Sequence, residues 1–111
     1  MLLLVFNRVK PEKVERLRSW LHELETRREE VLETFHNETT RHEVAYLLEG
    51  REGPVLVYAM EAENVDTARE AFQNSTLRID AEHKAVMAEV LVDCAGVEKL
   101  YECASPRASS D

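Results

Sequence analysis

The sequence predicts an α+β domain with element order β-α-β-β-α-β, in which one antiparallel four-stranded sheet carries helices on one face. Three observations lead there. Strand-like apolar runs at residues 2–9, 41–49 and 55–62 are separated by stretches whose apolar residues recur at helical spacing. Gly50-Arg51-Glu52-Gly53-Pro54 joins two successive runs as a hairpin loop. The 111 residues amount to a single domain, large enough for a core without metals or disulfides.

Residues 2–9 are nearly continuously apolar, as in a strand covered on both faces. Lys10-Pro11-Glu12-Lys13 turns into a helix with Pro11 near its first position. Val14, Leu17, Leu21, Leu24, Val31 and Phe35 then form one stripe if Arg28 fills the missing position, which predicts one amphipathic helix over 11–36. Glu12 with Arg16 and Glu23 with Arg27 are i,i+4 pairs in the favourable order on its wet side. Residues 37–40 read as a polar break, followed by the Val-, Leu- and Tyr-rich strands 41–49 and 55–62. Asn64 suits an N-cap, Asp66 the first helical turn, and Ala68, Ala71 and Phe72 a short apolar face. After Asn74-Ser75-Thr76 a second helical stretch is expected over 78–92, with Ile79, Val86, Met87, Val90 and Leu91 on one side. Gly96 turns the chain into a last strand at 97–103. Residues 1–104 thus form one domain, and 105–111, polar and small, a flexible tail.

This order is the split-βαβ, ferredoxin-like arrangement, which leaves one sheet face bare. Yet the strands do not alternate: Leu2, Leu4 and Phe6 interleave with Leu3 and Val5, and Val55 and Val57 with Leu56, Tyr58 and Met60. Both faces want burial, and a homodimer packed sheet to sheet satisfies them.

Composition closes off other classes. With 14 Lys+Arg against 22 Asp+Glu, the net charge of −8 argues against sequence-independent nucleic-acid binding. No run approaches the ~20 apolar residues of a membrane span, and the apolar opening is too short for a signal segment, so a soluble cytoplasmic protein is expected. Cys94 and Cys103 lack metal-site spacing, and His22, His36 and His42 are scattered. There is no Gly-rich phosphate loop, nucleophile elbow or His-Glu-x-x-His, so no metal and no cofactor is expected.

Several segments together resemble known families. Val9-Lys10-Pro11-Glu12-Lys13, Glu29-Glu30-Val31-Leu32-Glu33-Thr34, Glu43 and Ile79-Asp80-Ala81-Glu82-His83 are similar to a small bacterial family known only as a domain of unknown function, within the dimeric α/β-barrel superfamily. Ile-Asp-x-x-His is the most specific element, and Glu12 stands where such families place Gly. The resemblance implies two ferredoxin-like sheets closing on each other in a dimer. More distantly, the chain resembles antibiotic-biosynthesis-type monooxygenases, which need no cofactor, and their heme-degrading relatives. For the latter, the resemblance aligns Asn7 with a first-strand Asn and His83 with a helical His; the Trp between them has no match, since Trp20 lies on the first helix.

Six residues carry the candidate site. His83 shares its stripe with Ile79, Val86 and Val90, so it points inward. Asp80, three residues earlier, can steer its tautomer for general-base work, or His83 can simply bond a strand group while Asp80 caps its segment. Asn7, polar in an apolar strand, must be satisfied by backbone or ligand, and could donate to a developing oxyanion. Glu43 lies either in a pocket or at the wet rim, Arg28 either clamps a carboxylate or snorkels, and Tyr58, like Tyr46 outside the six, reads as a core residue with its hydroxyl at the edge. Three functions fit: a dimer binding a small ligand between helices and sheet, a monooxygenase or isomerase using His83, Asp80 and Asn7, or a purely structural dimer with a collapsed pocket.

Overall fold

The computed structural model describes residues 1–95 and 98–106. The domain is α+β: strands β1 (Leu2–Val9), β2 (Thr40–Gly50), β3 (Gly53–Ala62) and β4 (Leu91–Ala95), with helices α1 (Val14–Thr26), α2 (Arg28–Glu38), α3 (Val65–Gln73) and α4 (Arg78–Val90). All strand pairs are antiparallel, in the order β2-β3-β1-β4, which is compatible with the ferredoxin-like arrangement.

Register decides which residues meet the helices. Leu3 and Val5 of β1 pair with Met60 and Tyr58 of β3, which pair in turn with Glu43 and Ala45 of β2. Alternation then puts Leu3, Val5, Asn7, Glu43, Leu56, Tyr58 and Met60 on the helical side. Leu17 and Trp20 from α1, Ile79, Val86 and Val90 from α4, and Val9 and Leu56 from the sheet form the sealed core. The opposite face keeps Leu2, Leu4, Tyr46 and Leu48 exposed. The hairpin is tighter than its five-residue loop suggests. Gly50 pairs with Gly53 across a two-residue turn, and Gly53 takes φ 111°, a conformation open to glycine.

The expected helix over 11–36 is interrupted. A 3₁₀ turn at Pro11–Lys13 precedes α1, and Arg27 leaves helical geometry at φ −107°, ψ 43°. The stripe is continuous enough to suggest one helix, but the Arg27 guanidinium gathers Glu23 at 2.8 Å, Glu30 at 2.5 Å, and Glu82 of α4, and these ion pairs hold the break. Arg16 pairs with Glu89 of α4 in place of Glu12. The predicted polar break at 37–40 holds two buried residues, Glu38 and Thr40. Between them Thr39 closes α2 in the left-handed region, at φ 57°.

The last strand is also corrected. It follows α4 without a loop, because Leu91 and Val92 suit a strand as well as the end of a helical stripe. Of the predicted strand 97–103, residues 98–103 are not in the sheet, and Leu100 and Tyr101 are exposed. The expected turn at Gly96, the strand start at Val97 and the tail end 107–111 lie outside the described residues. Among the described residues, no helix is long and apolar enough to cross a membrane.

Candidate functional site

α1 and α4 close over one end of the sheet, while α2 and α3 stand over the other and leave a cavity of about 220 Å³ beneath them. Its walls are mostly apolar, from Leu3, Val5, Leu24, Val31, Phe35 and Phe72. Its polar groups are Thr34 and Glu38 from α2, Glu43 and Tyr58 from the sheet, and Asp80 and His83 from α4, with Arg69 also in the lining. Of the six sequence candidates, His83, Asp80, Glu43 and Tyr58 meet here.

The His83 ring sits among three aromatic neighbours, with centroids 6.1 Å from Trp20, 6.0 Å from Tyr58 and 5.9 Å from Phe72. The Trp20 indole N–H donates to His83 Nδ1 at 2.9 Å. Because indole is only a donor, Nδ1 must offer its lone pair, so the neutral ring carries its proton on Nε2. No described residue bonds to Nε2. Burial holds the imidazole below its ordinary value, with Asp80 pulling weakly the other way, so the ring is neutral near pH 7. His83 therefore offers a free N–H donor at Nε2.

Asp80 does not orient His83 by a hydrogen bond. Its carboxylate accepts from Thr34 Oγ1 at 2.9 and 2.7 Å and from Ser75 Oγ at 2.5 Å. Thr34 also approaches Glu38 at 3.2 Å, and Thr40 Oγ1 donates to the other Glu38 oxygen at 3.2 Å. Two buried carboxylates are thus tied by hydroxyls into a link between α2, β2, α4 and the segment before α4. Burial, reinforced by Asp80, pushes Glu38 above the usual carboxylate range, against the opposing Thr40 and Thr34 bonds.

Glu43 faces inward, not toward water. No hydrogen bond or salt bridge reaches its carboxylate among the described residues. Burial pushes it up to about 7, with the charges of Glu38 and Asp80 adding to the rise. Tyr58 is pushed up by burial and then by Glu43, and its buried hydroxyl has no partner. A carboxyl raised in this way titrates near the range useful to a general acid or base.

Asn7 and Arg28 fall elsewhere. Asn7 is buried on the helical side of β1 with its Oδ1 unpartnered, but it does not line the cavity. Arg28 is exposed and borders a second, outer groove against β2, which shares Glu43 and Tyr58 with the cavity. Sequence reasoning missed Trp20, Thr34, Glu38 and Ser75. Trp20 left a trace as an aromatic residue in the α1 stripe between Leu17 and Leu21, and Thr34 as the end of the segment 29–34 that carries the family resemblance.

The fold and its cavity define a small α+β domain with an apolar pocket flanked by carboxylates. The family model for a family of unknown function, DUF6176, matches residues 2–106, and the chain belongs to that family. No curated protein and no solved structure matches the chain.

Proposed function

We propose that the protein is a homodimeric ligand-binding domain of the dimeric α/β-barrel type, which seats one small molecule per protomer between helices and sheet. The observation that carries this reading is the half-enclosed cavity, where Glu43 and His83 Nε2 have no protein partner among apolar walls. Ligand sites have this composition, a few convergent polar groups in a hydrophobic pocket, and 220 Å³ suits a compact ligand. A purely structural dimer has no need of an inward carboxylate left without a partner.

The dimer rests on the open sheet face. Leu2, Leu4, Tyr46 and Leu48 are exposed there in a chain that otherwise forms a sealed core on its helical side. A second copy packed by a twofold axis covers the patch with the same patch. Sedimentation equilibrium at micromolar concentration is expected to show a dimer, and Leu48→Glu a monomer; a monomeric wild type overturns the dimer.

Ligand binding is tested by thermal shift against a library of compact metabolites, with Ala68→Leu as the control that fills the cavity wall. A ligand at 100 times its dissociation constant adds about 2.7 kcal/mol. Shifts present in the wild type and lost in a folded Ala68→Leu support the reading, and shifts that persist there place binding elsewhere. A catalytic version, a monooxygenase or isomerase, draws its support from the same pair. With Nδ1 occupied by Trp20, His83 serves as donor to a developing oxyanion, and Glu43 takes the proton.

A further inference from the structure

The ligand's chemistry follows from a charge inventory of the cavity. Three carboxylates from three elements line it: Glu38 of α2, Glu43 of β2 and Asp80 of α4. Neutral hydroxyls meet two of them, Thr34 and Ser75 for Asp80 and Thr40 for Glu38, where Thr34 Oγ1 also lies 3.2 Å away but gives its one proton to Asp80. Glu43 has neither a hydroxyl nor a cation. The candidate cations are all otherwise placed. Arg69 lines the cavity, but its side chain is 55% exposed and lies 3.9 Å from Asp66. Arg28 borders only the outer groove, and Lys84 stands over the Phe72 ring and donates to the Gln73 carbonyl. His83 is neutral with its Nδ1 bonded to Trp20, and Tyr58 adds only an uncharged hydroxyl.

We infer that the cavity takes a compact primary amine as its ammonium cation, with the charged nitrogen on Glu43 and the apolar body along Leu24, Val31 and Phe35. This rests on the cavity being a ligand site. An anionic ligand meets three carboxylates and no buried cation, which excludes it by repulsion. A neutral alcohol can donate to Glu43 but leaves the charge uncompensated in a low-dielectric site. An ammonium supplies both a counter-charge and three donors. Burial displaces Glu43 upward, and Glu38 and Asp80, which repel a third negative charge, add to the rise.

Three probes of similar size test this: benzylamine, benzyl alcohol and benzoate, titrated calorimetrically into the full chain at about pH 8, where Glu43 is mostly ionised. Benzylamine is expected to bind at least about tenfold more tightly than benzyl alcohol, with no heat from benzoate. Glu43→Gln removes the charge while keeping the shape. It is expected to bring benzylamine down to the affinity of the alcohol and leave the alcohol unchanged. Glu43→Asp, which withdraws the carboxylate by one methylene, weakens the amine more than the alcohol and serves if the Gln variant does not fold. Alcohol or benzoate binding as tightly as the amine overturns the inference and leaves the cavity reading intact, as does an undiminished preference for the amine in Glu43→Gln. Failure of all three probes overturns the cavity reading, and the inference with it.

Discussion

Replacing Glu43 by Gln should stabilise the protein at alkaline pH and leave it nearly unchanged at acid pH. In the unfolded chain a glutamate titrates near its ordinary value of 4.5, whereas burial and the charges of Glu38 and Asp80 lift Glu43 to about 7 in the fold. A raised carboxyl favours folding in its protonated form. Its stabilising contribution is therefore complete below 4.5 and is lost as pH rises through about 7. Carrying the ionised group in the fold costs about 3 kcal/mol as an upper bound, and about 1–2 kcal/mol once water entering the open side of the cavity is counted. Gln has the same shape and never ionises, so the variant escapes that cost. Wild type and Glu43→Gln, unfolded in urea at about pH 4 and pH 8, should differ in midpoint almost only at the higher pH, with similar slopes. Glu38, also raised, loses stability in the same direction, while His83, lowered, gains stability as pH rises past its ordinary value of 6.5. Both are present in each protein, so the difference between the two curves reports Glu43 together with its repulsion of Glu38 and Asp80. A variant that gains nothing at the higher pH, or loses stability there, would refute the reasoning, because it would mean that the carboxylate has a partner.

Trp20→Phe should cost about 1–2 kcal/mol by urea unfolding through loss of the indole bond. In the wild type, nitrogen NMR should find the His83 proton on Nε2, and a proton on Nδ1 would contradict the Trp20 bond. Thr34→Val leaves Asp80 with Ser75 alone and weakens the hold on Glu38, so a loss of about 1–3 kcal/mol is expected in the same assay. Thr39→Gly relieves a β-branched residue of its left-handed conformation and should raise the melting temperature, with a gain of about 0.5 kcal/mol after loss of the Thr39 hydroxyl bond to the Glu38 carbonyl. Calorimetry that shows a lower melting temperature would mean that the hydroxyl bond outweighs the strain.

The parts of the fold legible in the sequence are those decided by local pattern. The apolar run of β1, the hairpin glycines and the Asn64 cap, whose side chain accepts from the Thr67 N–H at 2.9 Å, all report on near neighbours. The inward phase of His83 was legible for the same reason, since Ile79, Val86 and Val90 around it are buried. What was not legible depends on distant residues. The break at Arg27 needs Glu82 on another helix, and the partner of His83 lies 63 residues away on α1. Glu38 stood in a polar stretch that reads as loop, yet two threonines and the packing of α2 on the sheet make it interior. Residues 90–92 satisfy the helical stripe and the strand alike, so the boundary between α4 and β4 was decided by pairing with β1.

The two carboxylates the sequence singled out, Asp80 and Glu43, do opposite things, and the hydrogen-bond accounting separates them. Asp80 lies in a motif that suggests catalysis, but its oxygens are taken by Thr34 and Ser75. Removing it would orphan hydroxyls in the core, which is the behaviour of a residue that holds α4 against α2. Glu43 lies on an ordinary-looking strand between His42 and Val44, and among the described residues no hydrogen bond or salt bridge reaches its carboxylate. A domain of this size has only a few kcal/mol of net stability, so an inward charge that lowers stability near neutral pH is a real cost, and the proposed ligand is what would compensate it. A bound partner that meets Glu43 in the cavity returns that cost as affinity, because the carboxylate is already desolvated and held in place before the ligand arrives. On the ligand-binding reading proposed above, the Ile-Asp-x-x-His stretch owes its Asp to packing and its His to a donor at the cavity wall, and the glutamate on the facing strand is the group that would discriminate among ligands.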